Sequence, residues 1–103
     1  RKETKNDISN VIKRFKNSNN PALSLFVANK YYELGNYTQA YNYALITNQI
    51  NQKIEKSWIL FSKSLVKLGK KKKAIEVLKK YTLSSQSNNA KLLLKEIESG
   101  KFR

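Results

Sequence analysis

Apolar residues recur with the period of an α-helix along nearly the whole of this chain, and polar clusters break the pattern at regular distances. Ile8, Val11, Ile12 and Phe15 fall at i, i+3, i+4 and i+7, which places them on one helix face. Asp7 is positioned to cap that helix, and residues 1–5 read as a polar, frayed start. Asn17 to Asn20 form a turn. Asn20 then supplies an N-cap oxygen and Pro21 the first helical position of a helix running to about Leu34. Leu23, Val27, Tyr31 and Leu34 share its apolar face, with Phe26 beside them. Gly35 ends it, and Asn36 with Gln39 resembles a capping box for the next helix, through Ala40, Tyr43, Ala44 and Thr47. A loop over 48–53 precedes a helix at about 54–68, with Trp58, Phe61, Leu65 and Leu68 as its stripe. Gly69 opens a turn into a helix carrying Ala74, Val77, Leu78 and Tyr81. Residues 82–89 read as a Ser/Asn-rich loop, and 90–99 as a last helix with Leu93, Leu94 and Ile97.

The elements are copies of one another. Leu34, Gly35 and Ala40 return 34 residues later as Leu68, Gly69 and Ala74. The same offset pairs Val27 with Phe61, Ala28 with Ser62, Tyr31 with Leu65, Tyr41 with Ile75, Tyr43 with Val77 and Ala44 with Leu78. A fixed period of this length signals a repeat architecture. Glycine lets the chain leave one helix through a left-handed conformation, and alanine lets two helix backbones come close. Each unit is therefore a helical hairpin, which must stack on a neighbour to bury its stripe. Shifting the period back by 34 puts Asn6 and Asn10 where small or apolar residues belong. The helix before Pro21 thus reads as an N-terminal cap, with the worn end of a preceding repeat as the alternative.

The unit resembles the tetratricopeptide repeat (TPR), whose pattern is W-x2-L-G-x2-Y, then A-x3-F, then often P. Trp58, Phe61, Ser62, Leu65, Gly69, Ala74 and Leu78 fill its slots in one copy. Val27, Ala28, Tyr31, Gly35 and Ala40 fill them in the other, with Ser24 where tryptophan is expected. Thr47 and Tyr81 depart from it, standing where a small residue is preferred, and the closing proline is absent. The resemblance implies an all-α fold of about six helices, stacked antiparallel hairpins in a right-handed superhelix. Its parts are a start and capping helix over 1–20, repeats over 21–54 and 55–88, and a capping helix with tail over 89–103.

Composition narrows the chemistry. The chain has no cysteine and no histidine, which removes thiol chemistry, disulfides and the usual zinc and iron ligand sets. Its seven carboxylates are scattered, and Glu96 and Glu98, two apart on a helix, point in different directions. There is no phosphate-binding glycine motif. A non-enzymatic protein without metal, cofactor or small-molecule substrate is expected. No apolar run is long enough to span a bilayer and no signal-peptide pattern is present. The chain starts at Arg1 and contains no methionine, so a piece of a longer protein is expected, such as the soluble part of a membrane-anchored one; the compartment stays open. The formal charge of +14, from 21 basic residues of which all but Arg1, Arg14 and Arg103 are lysine, favours anionic partners. A lysine-rich composition shared with Asn and Ile explains the same charge without any function.

The resemblance implies that the first helix of each hairpin lines a concave groove. In this sequence that groove takes Ala22, Leu25, Asn29, Tyr32 and Glu33, then Lys56, Ile59, Lys63, Val66 and Lys67, with Leu93 and Ile97 extending it. An apolar floor with Asn29 and three lysines suits an extended or helical peptide carrying acidic residues or a free carboxylate. The Lys and Asn pair of the carboxylate-clamp repeats is not reproduced, since Leu25 precedes Asn29 by one turn. Lys70, Lys71, Lys72 and Lys73 read as a solvated turn, with an anion-binding patch as the alternative. The expected function is an adaptor that binds a partner protein within a larger assembly; by analogy of fold and composition, bacterial secretion, pilus or DNA-uptake machinery. The alternative is a basic surface for nucleic acid or an anionic membrane.

Overall fold

A computed structural model describes residues 2–103, with side chains from Asp7 onward, and its described residues form six helices. These are α1 (Lys2–Ser18), α2 (Pro21–Glu33), α3 (Tyr37–Ile50), α4 (Glu55–Lys67), α5 (Lys71–Ser84) and α6 (Asn88–Glu98). Side chains start three of them. Asn20 accepts from Ala22 N at 2.9 Å, Asn36 from Gln39 N at 3.2 Å, and Ser87 from Ala90 N at 3.0 Å. Only half of the expected capping box forms, because the Asn36 amide already donates to Tyr31 O at 2.9 Å. The Gln39 side chain instead accepts from Asn42 at 2.9 Å.

Glycine closes the turns in the way the repeat demands. Gly35, Gly69 and Gly100 have φ of 81, 79 and 80°. At the first, Gly35 N reaches Tyr32 O and Asn36 N reaches Tyr31 O; at the second, Gly69 N reaches Val66 O and Lys70 N reaches Leu65 O. Both are the paired 5→2 and 6→1 bonds of a Schellman turn, which satisfy carbonyls that the helix leaves open. The second helix of each hairpin thereby follows the same type of turn.

Five alanines, Ala28, Ala40, Ala44, Ala74 and Ala90, have no exposed surface. With no bulk beyond Cβ they let helix axes approach closely, and the larger side chains fill the space alongside. Sequential helices pack pairwise from α1 to α6, while α2 also meets α4, and α4 meets α6. The first helices of the hairpins therefore form one layer of the stack. The main core joins Leu60, Phe61, Leu65, Leu78, Leu93 and Ile97 to Ala28, Ala44, Ala74 and Ala90, and a second cluster seats Ile8 and Val11 of α1 on Val27. The stripe expected on α1 is thus the surface that covers α2.

Several expectations need correction. Asp7 does not cap α1, whose backbone is helical from Lys2; Arg1 lies outside the described residues. Lysine and glutamate extend a helix readily, so the turn nucleated by the packed stripe continues outward. The 48–53 loop shrinks to 51–54, because Asn48 is buried and its Oδ1 accepts from the Ser57 hydroxyl. The 82–89 loop shrinks to 85–87, since Ser87 can cap α6. Leu34 and Phe26 are exposed rather than buried, and Leu60 takes a core place on α4 while Trp58 and Leu68 are half-buried.

The two departures from the repeat pattern explain each other. Ser24 and Thr47 share a buried hydrogen bond at 2.6 Å across the α2/α3 hairpin. At the same two positions of the next hairpin, Trp58 stacks on Tyr81 with centroids 5.3 Å apart and planes at 20°. A small pair and a large pair occupy one geometric slot. The Trp58 indole also donates to Gln52 O at 2.8 Å, and Phe61 carries the aromatic run on to Tyr41 at 4.8 Å. The inter-helix coupling of Trp58 and Tyr81 follows from this stacking. A double-mutant cycle with Trp58→Ala and Tyr81→Ala in urea unfolding should give a coupling of about 0.5–1.5 kcal/mol, whereas Trp58→Ala with Tyr32→Ala should be additive.

Glu55, at the start of α4, ties down the start of α6. Its carboxylate accepts from the Ser87 hydroxyl and, at 3.3 Å, from the Asn89 amide. These hydrogen bonds, with help from the Lys56 charge, hold the Glu55 carboxyl below its ordinary range. A carboxyl whose folded pKa is depressed contributes stability above its unfolded pKa and loses it as pH falls through the folded one. Hydrogen exchange at the first turn of α6 should therefore speed up as pH drops below the ordinary glutamate range. After correction for intrinsic exchange, Glu55→Gln should flatten that dependence.

Candidate functional site

The layer of α2, α4 and α6 encloses an open groove of about 680 Å³. The wall from α2 presents Leu25, Phe26 and Asn29; α4 supplies Lys56, Ile59 and Lys63; and α6 supplies Leu92 and Glu96 across from them. The helical periods explain the set. On each helix the residues facing the second helix of the hairpin are buried, so those one position round the axis are left to line the trough. Phe26 and Leu92 are large apolar side chains, 41% and 57% exposed, with the Lys30 ammonium 5.4 Å from the Phe26 ring.

Of the residues singled out from the sequence, the structure brings Leu25, Asn29, Lys56, Ile59 and Lys63 together in this groove, along with Ala22. Tyr32 and Lys67 stand apart from it. Tyr32 packs edge-on to Tyr37 at 5.3 Å, and burial, then that neighbour, pushes its phenol pKa up. Lys67 is drawn toward the helix ends, where its ammonium lies 5.9 Å from the Tyr37 ring and 5.4 Å from that of Phe102. Ile97 is fully buried in the core instead of extending the surface, and Leu93 shows only 4% of its area at the groove floor.

Reading the sequence missed Phe26, Leu92, Asn89, Glu55 and Glu96 as lining residues. Phe26 lay next to the apolar stripe and was grouped with it. Leu92 is the member of the Leu92-Leu93-Leu94 run that helical geometry turns outward. The lining is also less uniformly basic than expected. Glu96 faces the lysines, Asn29 donates to Glu33 at 3.3 Å, and the Lys63 ammonium sits 5.8 Å from the Phe102 ring.

Lys70 to Lys73 lie elsewhere, at the α4/α5 turn, and all four are exposed. No helix among the described residues is long and apolar enough to cross a membrane. Among those residues no group of histidine, cysteine or carboxylate side chains is gathered as a metal site would need.

No curated protein matches the chain. A family model does: the one described as anaphase-promoting complex, cyclosome, subunit 3 matches residues 8–81, from the first core residue of α1 to the Tyr81 that stacks on Trp58. It is a family of TPR-type repeats, which are generally protein-binding scaffolds rather than enzymes. Six packed helices, glycine turns repeated at 34 residues and a match across most of the stack agree, and the chain belongs to this family.

Proposed function

We propose that the groove between α2, α4 and α6 holds a segment of a partner protein, making the chain a non-enzymatic scaffold within a larger assembly. In this reading 21–54 and 55–88 are its two repeats, and the helices on either side close the ends of the stack. The observation that carries the proposal is the pair of exposed apolar side chains, Phe26 and Leu92, on opposite walls of one trough. Covering apolar surface gains roughly 25 cal/mol per Å², and a trough spanning three helices at about 10 Å spacing has room for an extended strand or one helix.

Charge then sets orientation. Glu55 is already committed to Ser87 and Asn89, so Lys56 and Lys63 face Glu96 as the groove's remaining charges. A partner segment with apolar residues at its centre and a carboxylate on the α4 side fits this arrangement. The family description names a subunit of a complex, in keeping with work inside an assembly.

The test is capture from source-organism lysate after nuclease treatment, comparing the chain with a Phe26→Ser, Leu92→Glu variant. Both positions are exposed, so helix content should be unchanged. A discrete protein should bind the parent chain and lose at least about tenfold in affinity for the variant, as expected when apolar anchors are removed. A partner held equally by both would contradict groove binding.

A further inference from the structure

A separate edge of the molecule gathers positive charge from three distant parts of the sequence. The C-terminal ends of α2, α4 and α6 lie side by side there, bridged by Lys67, whose ammonium reaches the ring of Tyr37 after α2 and that of Phe102 after α6. Lys70 to Lys73 follow three residues later, and Lys101 and Arg103 flank Phe102. All of these cations are exposed. Among the described residues the ion pairs are Lys30 with Glu33 and Lys79 with Glu98, so none of the edge cations meets a carboxylate there. Glu33, at the end of α2, is occupied by Lys30 at 3.5 Å and Asn29 at 3.3 Å. The lysines at the start of α5 also oppose its dipole, so they do not serve the helix.

We propose that this edge docks on an anionic lipid bilayer. What selects a bilayer over other polyanions is the apolar tips set among the lysines. Leu34 is 48% exposed in the α2/α3 turn, and Leu68, at the equivalent turn before Gly69, is half-buried. A membrane interface accepts both kinds of group at once, lysine at the headgroups and leucine at the acyl boundary. A nucleic-acid backbone uses only the charge. The aromatic rings at this edge, Tyr37 and Phe102, lie beneath Lys67 rather than open to stacking bases. Arginine, the residue suited to bidentate phosphate contacts, occurs here only as Arg103. The partner groove adjoins this edge, with Lys63 of its lining 5.8 Å from the Phe102 ring.

Flotation of the whole chain with vesicles tests this, using phosphatidylcholine alone and phosphatidylcholine with phosphatidylserine at about 0.15 M salt. The chain should float only with the anionic vesicles. Replacing Lys70, Lys71, Lys72 and Lys73 by Gln should weaken binding at least about tenfold. The same change at Lys13, Lys16, Lys80 and Lys91 should alter it by less than about twofold, and Leu34→Ser should lower it without loss of helix content. No flotation with anionic vesicles, equal losses in the two quadruple variants, or an unchanged Leu34→Ser would each overturn the proposal. So would tighter binding to a single-stranded oligonucleotide through the same four lysines, which would assign the edge to nucleic acid.

Discussion

The close approach of helix backbones at buried alanines is the constraint from which the rest of this structure follows. Ala40 and Ala74 sit at the same point of the two hairpins, both without exposed surface, and Ala28, Ala44 and Ala90 occupy neighbouring crossings. A larger side chain at any of them would push two helices apart, and the next hairpin would no longer meet the first in register. With the spacing held, α2, α4 and α6 align as one layer, and the groove is the surface that layer leaves uncovered.

Within that frame the chemistry of the hairpin closure is free to vary. Ser24 with Thr47 and Trp58 with Tyr81 occupy equivalent positions, one pair joined by a hydrogen bond and the other by ring stacking. The slot tolerates either because both partners change together. A lone tryptophan at position 24 would collide with Thr47, and a lone serine at position 58 would leave Tyr81 without its stacking partner. The aromatic pair also extends through Phe61 to Tyr41, so the second hairpin anchors the centre of the stack.

The fold was legible in the sequence because its determinants are local and periodic. Gly35 and Gly69 mark turns that need positive φ, and the alanines five residues later mark the crossings. The stripe on α1 was equally plain, and Val27 is where it lands. Helix ends were less so: the polar residues after Tyr81 read as loop, yet Thr82 and Ser84 stay helical, their hydroxyls donating to Lys79 O and Tyr81 O. The groove was half legible. Leu25, Asn29, Lys56, Ile59 and Lys63 followed from the family resemblance, which says which helices line the groove, together with helical phase. Lys67 and Tyr32 did not, because their positions depend on Tyr37 and Phe102, contacts between turns that no local period encodes. The tie from Glu55 to Ser87 spans 32 residues and was likewise invisible.

The same architecture separates two kinds of surface. The trough offers apolar area with a few charges, while the turns at the helix ends offer charge with a few apolar tips. Both depend on the hairpins keeping their register, so the most direct measurement is the stability of Ala74→Leu in urea unfolding, with Ala40→Leu as its repeat-related partner. The account predicts that each loses about 1–3 kcal/mol from overpacking a helix crossing. Two neutral substitutions would contradict the close helix contact on which the register rests.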